Sequence, residues 1–175
     1  MHSFRRAAHL LFAFAALLGA MSMPATAQAA RGPSTVEERA RVVKIAAESR
    51  KDPLGVQAAN ANWFEEWISG VPDVHFRPEG VAKWCMKNAK GDMRKIIQFQ
   101  FGASYVAYQL EHTIFDAQTP EDVRAVNLAA LEGVLAAYET LLAQDPKNRS
   151  TKMDEALVIR GKGQLAAFAD TIAAQ

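Results

Sequence analysis

From Ile96 to Leu110 the chain carries Ile96, Ile97, Phe99, Phe101, Ala103, Tyr105, Val106, Tyr108 and Leu110, apolar residues that fall on more than one stripe of a helix. A helix that is apolar on most sides must be surrounded by other elements rather than laid on a surface. The sequence therefore predicts a helix over Met93–His112 at the centre of a bundle. The small residues Gly102, Ala103 and Ser104 mark where a neighbouring helix can come close. The chain shows no strand pattern, so the expected class is all-α: a compact irregular or orthogonal bundle of about five to six helices.

The elements around this post are announced by their ends. Ser34 with Glu37, or Thr35 with Glu38, forms a capping box ahead of Val36, Ala40, Val43 and Ala47, so a helix is expected from there to about Lys51. Asp52-Pro53 then starts another, about Pro53 to Ser69, that carries Trp63, Phe64 and Trp67 and stops at Gly70. The segment Val71–Pro78 has two prolines and no helical period, which makes it the least regular stretch of the domain. A short helix is expected over Pro78–Asn88, with Val81, Trp84 and Cys85 facing inward. Thr119-Pro120-Glu121-Asp122 combines a cap, a proline in the first turn and early acidic residues, and opens a helix that runs until Asp145-Pro146. A last helix begins near Ser150, and Gly161-Lys162-Gly163 breaks or bends it before a terminal segment, Gln164–Ala174.

Upstream of all this, Arg5 and Arg6 precede an apolar run from Ala7 to Gly19, followed by small residues from Ala25 to Ala30. The order of basic, apolar and small-residue regions is that of a cleaved export signal, since the apolar run is too short to span a bilayer. Residues 1–29 are read as the signal and residues 30–175 as a single mature helical domain, periplasmic or extracellular, with no integral membrane segment after cleavage. Cleavage removes two of the twenty basic residues, leaving eighteen against nineteen acidic ones, a net charge of −1. Nucleic-acid binding through bulk charge is disfavoured. The local basic cluster Lys83, Lys87, Lys90, Arg94 and Lys95 is read as a solvated face able to steer an anionic partner.

The stretch Ala130–Asn148 resembles the second helix of a tetratricopeptide repeat, with Tyr138 placed ahead of Pro146. The tryptophan, leucine, glycine and tyrosine of a first helix are absent upstream, and nothing recurs at the repeat's spacing of about 34 residues. A single bundle is expected rather than an array.

Chemistry is sparse in the mature chain. Its histidines are His75, in the irregular segment, and His112, at a helix end beside Glu111. Neither sits in a His-Glu-x-x-His motif, and paired cysteines and calcium-loop spacing are missing, so neither a metal nor another cofactor is expected. Met86, Met93 and Met153 are too dispersed for a copper site and are read as core. There is no Gly-x-Ser-x-Gly elbow, and the acidic pairs Glu37-Glu38 and Glu121-Asp122 read as helix starts. Cys85 is the only cysteine, so no intrachain disulfide is available, and its alternatives are a buried small hydrophobe or an intermolecular disulfide in a homodimer.

What this leaves is an exported soluble helical domain, an accessory protein that binds a protein partner or supports an envelope process. The expected contact region is the loop through Val74, His75, Phe76 and Arg77 with the adjoining Trp67 and the basic helix. An alternative is a small-ligand-binding or hydrolytic protein with a pocket between helices containing Tyr105, Tyr108, His112 and an acid. A homodimeric structural protein is the third reading.

Overall fold

The computed structural model describes residues 31–174, all of whose regular elements are helical. The expected export signal lies outside the described residues, as does Ala30. Seven α-helices follow one another: α1 (Val36–Glu48), α2 (Pro53–Gly70), α3 (Gly80–Asn88), α4 (Met93–Glu111), α5 (Pro120–Gln144), α6 (Thr151–Gly161) and α7 (Leu165–Ala173), with a 3₁₀ turn at Pro146–Asn148. The count is one above the expected five to six: of the break or bend expected at Gly161-Lys162-Gly163 the fold takes the break, the chain turning through Gly163 at φ +71° between α6 and α7.

The starts of the helices follow local chemistry. Thr35 accepts from the Glu38 amide while Glu38 reaches back to the Thr35 amide at 2.9 Å, a closed capping box. Asp52 and Thr119 each cap the helix that follows, with proline in its first turn. The start of α3 is displaced from Pro78 to Gly80, with the non-helical Glu79 at its N-cap.

Two helices form the middle. Thirteen residues of α4 are buried, and it packs against α1, α2, α3 and α5, as its all-round apolar character requires. Its largest contact is with α5, about 37 Å long at the usual helical rise. α5 in turn carries α6 and α7 on its far side, so the centre is an α4–α5 pair rather than a single post. By length and composition α5 could span a membrane; in this fold 56% of that apolar window is buried inside the domain.

The close approach foreseen at Gly102-Ala103-Ser104 is made at Ser104, with Gly133 of α5 opposite. A Cβ added at Gly133 would stand 2.0 Å from Ser104 Oγ. Beside it a buried polar string crosses the core: Ser49 Oγ donates to Gln100 Oε1, and Gln100 Nε2 donates to Ser104 Oγ at 2.7 Å. Gly102 faces the other way, toward the ring of Phe64.

Candidate functional site

The segment between α2 and α3 is irregular but firmly held. His75 N donates to Phe115 O at 2.8 Å, an isolated parallel bridge to the α4–α5 connection, and Gln109 Nε2 donates to His75 O at 3.1 Å. Arg77 reaches the same connection in a two-pronged pair, Nε to Asp116 Oδ1 at 2.9 Å and a terminal nitrogen to Oδ2 at 3.2 Å. Gln118 Nε2 adds a third donor at 2.6 Å. Those donors, the guanidinium first, hold the Asp116 carboxyl below the usual carboxylate range. The loop is thus tied to the α4–α5 connection through the His75 amide and the Arg77 guanidinium, while its His75 and Arg77 side chains remain exposed.

At its other end the loop closes onto the start of the domain. Asp73 accepts from Ser34 N and Ser34 Oγ, each at 2.8 Å, and from Arg39 at 2.9 Å. Burial opposes the Asp73 charge, but the two bonds from Ser34 and the nearby guanidinium outweigh it, and its carboxyl is held below the ordinary value. Arg39 also lies over the ring of Phe115, 4.8 Å from its centroid.

The residues singled out for contact therefore divide. His75 and Arg77 are exposed, and Phe76 is half-buried with its ring edge-on to Tyr105 at 5.1 Å. Trp67 is not available to a partner: it is 1% exposed, stacked between Trp63 and Phe64, because α2 turns this face onto the core. Tyr105 is likewise 1% exposed, and its hydroxyl is pushed up by desolvation. A pocket gathering Tyr105, Tyr108, His112 and an acid is not what these residues form. Tyr105 belongs to the α4 core, whereas Tyr108 and His112 stack on each other at 3.9 Å, with His112 Nδ1 3.0 Å from Tyr108 O, closing the helix end. Cys85 is wholly buried, and burial pushes its thiol up, so an intermolecular disulfide is out of reach without opening α3. Among the described residues no three His, Cys, Asp or Glu side chains are gathered as a metal ion needs.

What does form a concavity is a groove between α2, α3 and α4, of about 540 Å³. Phe64 and Ile68 of α2, Met86 of α3, and Phe99 and Phe101 of α4 supply its walls, and Phe76 closes one end. Gly102 makes room at the bottom, since a Cβ there would come within 3.2 Å of Phe64. Polar groups sit around it: Gln57, Asn62 and Glu65 from α2, Lys95 and Gln98 from α4. A shallower cleft lined by Val71, Val74 and His75 adjoins it across Ile68 and Phe76. Of the loop, tyrosine and histidine positions marked for contact, Phe76 belongs to the apolar groove, and Lys95 of the basic cluster also lines it. Its other walls, aromatic and aliphatic, read in the sequence as ordinary core, and Gly102 reads there as a point of close helix approach rather than as a gap.

No family model, curated protein or solved structure matches this chain.

Proposed function

We propose that the mature protein is an exported, non-catalytic binding module that receives an apolar surface of a partner protein in the groove between α2, α3 and α4. The groove is the observation that carries this reading: about 540 Å³ of space walled by aromatic and aliphatic side chains from three helices, with polar groups only sparsely placed. Such a composition is that of a recognition site, because apolar atoms left at a solvated concavity gain free energy when something apolar covers them. The loop His75-Phe76-Arg77 supports it from the side, since the Arg77–Asp116 pair and the His75 backbone bridge hold Phe76 as a fixed wall.

A small apolar ligand is the second reading, favoured by a volume within the range of small-molecule pockets, about 300–1,000 Å³. One experiment separates the two. The mature protein is used to recover partners from the envelope and secreted fractions, in parallel with Ile68→Asp and Ala82→Trp, which charge and fill the groove. Loss of a retained protein by about tenfold or more in both variants, at near-unchanged Tm, is the expected result. A bound small molecule detected by native mass spectrometry, and lost in the same variants, moves the assignment to the second reading. Equal retention by all three proteins, with no bound molecule, overturns the groove as the site.

A further inference from the structure

Helix α3 is a ridge between two different concavities. Val81 and Cys85 face the core, and Ala82 and Met86 border the apolar groove. The opposite flank presents Lys83, Trp84, Lys87 and Asn88 to a second cleft of about 380 Å³, closed on its far side by Lys152 of α6 and Ile172 of α7. Its walls are set. Trp84 is held by an edge-on contact with Phe168 at 5.3 Å, and Asn88 Nδ2 donates to Trp84 O at 2.8 Å, which leaves Asn88 Oδ1 as an acceptor. Gly80 lies against α7 so closely that a Cβ would meet Ala173 O at 2.4 Å.

The charged side chains that line this cleft are all lysines. No acidic side chain lines it, and Lys83 and Lys87 are exposed and form no ion pair among the described residues; Lys152 pairs with Glu155 at 2.7 Å, both exposed. The sequence places Lys83 and Lys87 in a basic run along one region, but only the fold adds Lys152 from a distant helix. Glu155 already offsets Lys152, so the ammonium groups of Lys83 and Lys87 are the charges that an anion in the cleft would answer. In a mature chain of net charge −1, that attraction is local and not a bulk effect.

We propose that the cleft between α3, α6 and α7 binds a phosphate group carried on an apolar or aromatic body. Ammonium groups suit a phosphate oxyanion, since each is a compact charge with three donors that can be aimed at separate oxygens. Trp84 and Ile172 give the body of the ligand an apolar wall, and Asn88 Oδ1 accepts from a hydroxyl on it. This site does not depend on the apolar groove, from which α3 separates it.

The test titrates the mature protein, at constant ionic strength, with phenyl phosphate and with inorganic phosphate, read by backbone amide NMR shifts and by Trp84 emission with Trp84→Phe as the blank. A parallel arm sediments the protein with vesicles containing phosphatidic acid. Saturable shifts confined to Gly80–Asn88 and the first turn of α6, tighter for phenyl phosphate than for phosphate, are expected. Lys83→Ala and Lys87→Ala should each weaken binding about tenfold. Saturation in solution assigns a soluble ligand, and lysine-dependent sedimentation alone assigns a lipid headgroup. Lysines that merely complement the carbonyl end of α7 would, when replaced, lower Tm and leave the titrations unchanged, which overturns the proposal. So does a response that ignores both lysines.

Discussion

Ser104 and Gly133 meet inside the α4–α5 contact with no room for a methyl group. An added Cβ would stand 2.0 Å from Ser104 Oγ, 2.7 Å from Ser104 Cβ and 3.2 Å from Gln100 Nε2. The hydroxyl cannot simply rotate away, because Gln100 donates to it and Gln100 is itself tied to Ser49. Gly133→Ala therefore sets two effects against each other. Alanine gains about 1 kcal/mol of helix propensity, while overpacking the α4–α5 contact costs about 1–3 kcal/mol and also strands a buried hydrogen-bonding group. The net expectation is a loss of about 1–2 kcal/mol in denaturant unfolding. Adding Ser104→Gly to Gly133→Ala should recover part of it by removing both clashing atoms. A stabilised Gly133→Ala variant would show that the two helices have slack at this point. The small-residue segment was visible in the sequence, but not its partner: Gly133 lies in an alanine-rich helix where nothing local distinguishes it.

At the scale of elements, what is local was legible and what converges was not. Thr35, Asp52-Pro53 and Thr119-Pro120 announce their helices because a cap is satisfied within a few residues of itself. The loop between α2 and α3 reads as free because its partners, Ser34, Arg39 and Asp116, lie in other segments. Those partners make the loop responsive to acid. Asp73 titrates below its ordinary range in the folded domain, so its contribution is fully present above the unfolded value, near pH 4, and is lost as pH falls through the lower folded value. Asp116 and Glu38 act in the same direction, the first through Arg77 and Gln118, the second chiefly through the Thr35 amide. Tm should fall as pH is lowered from 5 to about 2, with a shallower slope in Asp73→Asn. Equal slopes in the two proteins would remove Asp73 from the account. The apolar groove escaped the sequence for a related reason: three helices supply its walls, and each wall residue also reads as ordinary core.

For the whole molecule, the single cysteine becomes a reporter. A chain with one cysteine has no intrachain disulfide and depends on its packed core for stability, and Cys85 lies in that core on the inward face of α3, 0% exposed. Burial disfavours the thiolate, the reactive form, so labelling requires α3 to leave α4 and α7. The protein should thus show no stoichiometric reaction with a small thiol reagent over hours in native buffer, and full reaction in denaturant. Its mass should be the same with and without reductant. Labelling in sub-denaturing urea then has a diagnostic slope. If it tracks global unfolding, α3 belongs to the same cooperative unit as the α4–α5 pair. If it runs ahead of global unfolding, α3 opens alone, which would loosen the apolar groove and the lysine-lined cleft together, since this one helix is a wall of both. A phosphate-bearing ligand seated between α3, α6 and α7 should slow that labelling in proportion to its occupancy, and Lys83→Ala should abolish the protection. Protection that persists in Lys83→Ala would place the ligand elsewhere on the fold.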